Sequence, residues 1–310
     1  MRTVYLNGAF LPESEAKVSA YDLGVMQAAA VFEMTRSFNG VHFRLAEHLD
    51  RLEGSCHVLG FPVPDRKEVE EAIGQLTILN DHGPGEEHRL LIMVSPGPSK
   101  MYRAIAGDHP TMLITDFPLR YTTAGLGRQF AEGGSAMIST VRQVPDDCVP
   151  SHIKHRSRLH FYRAKQEAIQ NGVDWAILLD REFQVAECPG ANVFIVEDHG
   201  RSPSGTQLIA CSGSCLPGIS RQTVLNLALM TWNGYYEERH CGVQHLFGAR
   251  EIFVTGTPFC LLPITRLNGN PVGDGKPGPI YQRLLSAWSE MVGVDIAGQI
   301  KAWDAPCQIV

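Results

Sequence analysis

The chain has 310 residues, 44% of them hydrophobic and 19% charged, with a formal net charge of −6. That length and balance exclude a disordered or fibrous protein and allow one large domain or two modest ones around a full apolar core. The acidic balance exerts no long-range pull on nucleic acid or an anionic membrane, so neither partner is expected.

No run approaches the ~20 apolar residues of a membrane-spanning helix. The opening stretch Met1–Phe10 lacks an uninterrupted apolar segment behind a basic one, so no signal peptide is expected. Eight cysteines (56, 148, 188, 211, 215, 241, 260 and 307) are scattered, and the close pair Cys211 and Cys215 has no partner ligands at zinc spacing. Free thiols in a cytoplasmic protein are expected, and no metal.

In chain order, Val4–Pro12 (VYLNGAFLP) predicts a hairpin with an Asn-Gly turn, and Val31–Arg44 a further strand with a second Asn-Gly turn at 39–40. Leu45, Leu49 and Leu52 fall at helical spacing in a segment closed by Gly60, and Asp65–Leu79 reads as a second amphipathic helix. His88–Ser95 and Thr111–Asp116 read as strands. Residues 118–135 mix Gly, Thr and charge without periodicity and read as an interdomain connection. Beyond them the pattern predicts a strand at 136–141, a helix ending at Gln170, two strands around Glu187 and a strand at Gln207–Ala210. A helix over Ser220–Trp232, a strand at Glu251–Thr255 and a helix over Pro279–Val292 follow. No repeat is present, and the order is α+β rather than a regular βαβ alternation.

With 20 arginines and only 7 lysines, each lysine can be weighed. Lys67, Lys165 and Lys276 lie in a charged helix, mid-helix and a Gly-Pro turn; Lys17, Lys100 and Lys301 have polar surroundings. Lys154 alone sits where an extended segment led by Pro150 runs into a helix, among His152, His155, Arg156 and Arg158. Neighbouring positive charge would lower its pKa and supply the neutral amine that bonds an aldehyde. The alternative is an exposed lysine in a basic loop. Glu187 lies between two strands and is followed by Asn192 and an apolar run; a carboxylate at a strand end and an ordinary turn asparagine are the plain alternatives.

The segments Ser151–Ala168 (SHIKHRSRLHFYRAKQEA) and Trp175–Val196 (WAILLDREFQVAECPGANVFIV) resemble the centre of the class IV (fold type IV) pyridoxal-phosphate aminotransferases. The resemblance implies that Lys154 holds pyridoxal 5′-phosphate as a Schiff base, that Glu187 pairs with its pyridine nitrogen and that Asn192 braces the loop. Arg44–Leu52 (RLAEHLDRL) resembles the family helix whose arginine after His-x-x binds the phosphate, here Arg51. Leu216–Val224 (LPGISRQTV) and Val254–Ile264 (VTGTPFCLLPI) resemble the remaining phosphate elements. They assign Gly218, Ile219, Ser220, Gly256 and Thr257 to the cofactor, with the turn to Pro258 facing substrate. Where many members carry an asparagine-tyrosine pair, this chain has Ser157 and Arg158. Arg158 could hydrogen-bond the cofactor's phenolic oxygen or stand on a helix surface.

Departures from the family lie at 22–33. Asp22, Gly24, Phe32 and Glu33 remain, but Leu23, Gln27 and Ala28–Ala30 replace an arginine, a tyrosine and a small polar loop, so a less polar substrate side is expected. The arginine that D-amino-acid members carry near Pro96 is absent; Phe32, Arg36 and Arg103 are substrate-side candidates, each arginine with a structural alternative.

The resemblance runs from Tyr5 to the 273–279 turn. It implies a two-domain α+β fold: a small N-terminal α/β domain (1–120), a connection (121–135) and a larger cofactor domain (136–310) with a β-barrel-like core. It also implies a cofactor cleft between domains, a homodimer, and ping-pong amino transfer from an amino acid to a 2-oxo acid. Two alternatives stand beside it. An aminodeoxychorismate-lyase-type reaction is suggested by Lys154–Leu159 (KHRSRL), and a catalytically silent binding protein by the altered 23–30 loop.

Overall fold

The computed structural model of the chain describes residues 2–200, 204–231 and 235–304. Trp232, Cys307 and the expected domain end at 310 lie outside the described residues. The chain divides into two compact units. One takes the chain up to Thr122 together with His152–Arg158; the other takes Thr123–Ser151 and the chain from Leu159 onward. No described helix is long and apolar enough to cross a membrane.

The first unit is an antiparallel sheet of six strands: β1 (Thr3–Leu6), β2 (Ala9–Pro12), β3 (Val31–Phe38), β4 (Val41–His42), β5 (His88–Ser95) and β6 (Thr111–Pro118), in the order β2-β1-β6-β5-β3-β4. Asn7 (φ 48°) and Gly8 (φ 90°) form the tight turn between β1 and β2, a left-handed pair that Asn-Gly accepts at little cost. The helices Leu45–Leu59 and Arg66–Leu79 cover one sheet face. Leu49, Leu52, Cys56, Val69, Ile73 and Leu76 meet Leu90, Ile92, Val94 and Ile114, the alternate residues of β5 and β6. Asp65 caps the second helix by accepting from Glu68 N–H at 3.0 Å.

The second unit holds nine strands: β7 (Gly134–Arg142), β8 (Trp175–Leu179), β9 (Glu187–Cys188), β10 (Ala191–Asp198), β11 (Thr206–Cys211), β12 (Tyr235–Arg239), β13 (Glu251–Gly256), β14 (Cys260–Leu267) and β15 (Asn270–Pro271). They run β12-β11-β10-β13-β14-β7-β8, with β9 on β10 and β15 on β14, and the sheet curls into the half-barrel expected of the larger domain. β13 is buried throughout and β10 over its first six residues, so both read as continuous apolar runs rather than alternation. Glu251 accepts from Ile280 and Tyr281 N–H, each at 2.9 Å, and so caps the helix Pro279–Val292.

Several features differ from expectation. β12 and β14 carried no clear signal, the latter because Pro263 interrupts it. Pro263 pairs with Phe253 of β13, while the parallel pairing of β14 with β7 begins only at Ile264, so the missing N–H on that side has no partner to disappoint. Residues 118–135 hold helices Arg120–Thr123 and Gly127–Glu132, and Gly125 and Gly127 donate to the Asp304 carboxylate at the end of the helix Ile296–Asp304. Local sequence shows no such long-range cap. The Lys154 segment, expected in the larger domain, groups with the first unit because its backbone pairs beside β3.

A buried ionic cluster fastens β3 to the helix Leu45–Leu59. Glu33, 1% exposed, accepts from Arg51 Nε at 2.6 Å and Nη2 at 3.0 Å, and its Oε2 lies 2.7 Å from His48 Nδ1. Burial alone would raise the Glu33 pKa, but the Arg51 charge and the hydrogen bonds from His48 and Arg51 outweigh it and hold the carboxyl at about 2. The folded chain then binds fewer protons than the unfolded one below the ordinary value of 4.5, so this stabilisation is present above that value and lost as pH falls toward about 2. The contribution is on the order of 3 kcal/mol. Urea midpoints measured between about pH 5 and about pH 3 should fall steeply in the native chain and less in Glu33→Gln, which should also be less stable at neutral pH by about 3 kcal/mol.

Candidate active site

Residues 154–157 run antiparallel beside 28–32. Phe32 N–H donates to the Lys154 carbonyl at 2.9 Å and Arg156 N–H to the Ala30 carbonyl at 2.8 Å, flanking a Val31–His155 bridge. Ser157 Oγ donates to the Ala28 carbonyl at 3.2 Å. Lys154 N–H reaches Ser55 Oγ at 3.4 Å, and Ser55 is itself fixed to the Arg51 carbonyl at 2.8 Å. Strand alternation then sets Lys154 and Arg156 on the face that carries Phe32. Lys154 Nζ lies 5.0 Å from the Phe32 ring centre, with the guanidinium carbons of Arg156 and Arg158 at 4.4 and 5.5 Å. Three cations on one ring use its negative faces, and the ring keeps them apart.

The surroundings of Lys154 are strongly positive. Burial pushes the His155 imidazole down, and Arg158 and Lys154 push it further. Burial and then Arg158 lower Arg156, while burial and Arg156 bring Arg89 to about 10. Arg51 belongs to the same unit, oriented by its two bonds to Glu33.

The expected substrate-side arginines are placed differently from one another. Arg36 is 1% exposed, bonded to the Ser37 carbonyl at 3.1 Å and stacked 3.9 Å from the Phe38 ring. Arg103 is exposed and pairs with Asp108 at 2.8 Å. The altered 22–30 loop is anchored by Asp22, which accepts from Gly24 N–H at 2.6 Å, Ser95 Oγ at 2.7 Å and Thr111 Oγ1 at 2.6 Å. Gln27 of that loop is exposed.

The second unit gathers the other candidates. Glu187 and Asn192 are register partners on β9 and β10. Glu187, 7% exposed, accepts from Gln143 Nε2 at 2.9 Å and, at 3.4 Å, from Leu216 N–H. Asn192 Nδ2 donates to the Leu216 carbonyl at 2.8 Å, so the two side chains hold the start of the 216–218 loop from both sides. A Cβ on Gly218 would lie 2.2 Å from Asn192 Oδ1, which leaves glycine as the residue that fits. The helix Ile219–Thr231 follows with no acidic residue in its first turn, and the Ser220 hydroxyl engages no described residue. Its leading N–H groups and dipole favour an anion.

The β13–β14 turn carries Gly256, Thr257 and Pro258. Thr255 Oγ1 fixes it by donating to the Cys260 carbonyl at 2.6 Å, while the half-buried Thr257 hydroxyl has no described partner. Burial, and then the Glu187 carboxylate, push the Cys215 thiol up to about 12 and Cys188 well above its ordinary range.

Sequence reasoning missed Gln143, Ser55 and Arg89, which support Glu187, Lys154 and the cationic field. Arg156, already singled out in the basic cluster, was legible locally, since two residues from Lys154 in an extended segment means the same face. Gln143 and Ser55 reach their partners across long sequence separations that no pattern shows.

Residues 30–267 match the family described as Amino-transferase class IV. Branched-chain-amino-acid aminotransferase-like protein 1 of Arabidopsis thaliana is 32% identical over 293 residues, which cover 93% of this chain and 50% of that protein. The chain thus spans about half the length of the Arabidopsis proteins it matches. The putative branched-chain-amino-acid aminotransferase of Methanocaldococcus jannaschii is 31% identical over 289 residues, 93% of this chain and 96% of that one. Among solved structures, the branched-chain amino acid aminotransferase of Escherichia coli aligns at a TM-score of 0.83 and 25% identity, covering 94% of both chains. By sequence over most of its length and by fold, this chain belongs to the class IV aminotransferase family.

Proposed function

We propose that the protein transfers an amino group from an amino acid to a 2-oxo acid with pyridoxal 5′-phosphate as cofactor. The observation that carries this reading is the placement of Lys154: an amine fixed through its backbone on a face it shares with Phe32 and Arg156. The names of the relatives support a branched-chain amino donor. The same reading takes the protein as a cytoplasmic homodimer.

The residues present fit the cofactor's separate groups. When bound, the cofactor supplies an aldehyde that bonds amines and a ring that accepts electrons from the bonded carbon. Lys154 offers the amine for that aldehyde, and its Nζ, once released by the substrate's amine, would take the Cα proton as base and deliver it as acid to the former aldehyde carbon C4′, with the reverse path in the second half-reaction. Glu187, held by Gln143, keeps a proton on the ring nitrogen.

For the phosphate, the reading takes the N–H groups at Ile219 and Ser220 and the hydroxyls of Ser220 and Thr257 in the second unit, with Gly218 and Gly256 allowing close backbone approach, and names Arg51 of the first unit as its cationic candidate. Asn192 braces the loop, and Arg158 is suited to the phenolic oxygen as an anion. Phe32 and Pro258 are read as substrate-side walls. Arg36 and Arg103, engaged by Phe38 and Asp108, are weaker choices for the substrate carboxylate.

Mixing the purified protein with a panel of L- and D-amino acids and following its visible absorbance tests the reading. A bleaching half-reaction, reversed by a 2-oxo acid, is expected. Release of pyruvate from aminodeoxychorismate without any acceptor requirement would replace transamination by lyase chemistry. Lys154→Ala should lower turnover by at least about 10²–10⁴-fold with the circular dichroism spectrum unchanged, and native-like turnover in that variant would refute the assignment. Gly218→Ala should act on binding instead. Its collision with Asn192 should weaken cofactor affinity by about 1–3 kcal/mol, measured by equilibrium dialysis, while kcat at saturating cofactor changes little.

A further inference from the structure

Within the first unit, a second cluster of reactive side chains has no part in amino transfer. His88 is the first residue of β5, Asp116 lies on β6, and His82 sits in the turn after the helix Arg66–Leu79. Their ligand atoms all lie within 4.8 Å of one another. His82 Nε2 and His88 Nδ1 converge on one oxygen, Asp116 Oδ2, at 3.5 and 2.8 Å. The three side chains are 6%, 10% and 0% exposed. His42 on β4 stands next to them, its ring 5.9 Å from that of His88.

The hydrogen bonding of this cluster is incomplete. Among the described residues, His82 Nε2, Asp116 Oδ1 and His42 Nδ1 are buried without a hydrogen-bond partner. Buried polar atoms are nearly always paired, and three unpaired atoms within one cluster are a costly arrangement for a purely structural role. Both imidazoles lie on the same oxygen, Asp116 Oδ2, while Asp116 Oδ1 receives no hydrogen bond. The neighbouring carboxylates are engaged elsewhere: Glu87 with Ser37, Asn39 and Gly40, and Glu86 with Arg120.

We propose that His82, His88 and Asp116 form a binding site for one divalent transition-metal ion of the zinc class, with His42 Nδ1 or water in the fourth position. Zinc bonds of about 2.0–2.2 Å to nitrogen and oxygen place tetrahedral ligands about 3.3 Å apart, and the two contacts to Asp116 Oδ2 bracket that spacing. Two imidazoles and a carboxylate suit a borderline cation better than calcium or magnesium, which prefer all-oxygen sites. The ion would tie the 80–87 turn to β5 and β6. It is a structural clamp, separate from Lys154 and independent of the reading above.

The test uses the full chain with its organic cofactor retained, stripped of metal by a chelator and titrated with Zn2+ and Co2+. One ion per chain by elemental analysis, a cobalt spectrum of nitrogen and oxygen ligands, and a rise in Tm reversed by chelator are expected. His82→Gln, a change within a turn, and Asp116→Asn, which keeps the side-chain shape, should each weaken zinc affinity by about 100-fold or more. Three results would overturn the proposal: no stoichiometric uptake by the native chain, affinity unchanged in both variants, or a thiolate charge-transfer band placing cobalt on the cysteines. If either variant misfolds, the native cobalt spectrum and stoichiometry decide alone.

Discussion

Lys154 is positioned by its main chain. Its carbonyl accepts from Phe32, the residue two positions on donates to Ala30, and a bridge between Val31 and His155 fixes the register. A slip of one residue would turn Lys154 to the opposite side and set His155 against Phe32, because side chains alternate along an extended backbone. Backbone bonds do not depend on which side chains stand at 155–158, so the substitutions at Ser157 and Arg158 leave the amine where it is.

Charge is arranged with the same economy. One buried carboxylate, Glu33, takes two bonds from Arg51 and one from His48, and this joins β3 to the helix that covers it. Arg156 and Arg89 have no carboxylate to match among the described residues, and burial lowers the pKa of both. Buried cations gathered beside an amine favour anionic ligands. In the second unit the polarity is reversed around Glu187, where two thiols feel its charge.

Much of this was legible in the sequence where the cause is local. The Asn-Gly hairpins, the two amphipathic helices and the strands around Glu187 follow from turn chemistry and periodicity acting over a few residues. Motifs around Lys154 and Glu187 pointed to a family, and it is the one to which the chain belongs. What stayed hidden is non-local. β14 was masked by Pro263, tolerated because the neighbouring strand makes no demand at that position. Ser55 acts on Lys154, and Gln143 on Glu187, across gaps that leave no periodic trace. Cysteine spacing drew attention to thiols, whereas His82, His88 and Asp116 are brought together only by the sheet.

Because His152–Arg158 completes a unit whose remainder ends at Thr122, that unit is discontinuous along the chain. During synthesis its six strands and two covering helices emerge first, yet the edge of β3 waits for a segment that the ribosome makes only after Thr123–Ser151. Vectorial folding therefore cannot seal this half before the chain has begun the other, and the segment that carries Lys154 is the last piece to arrive.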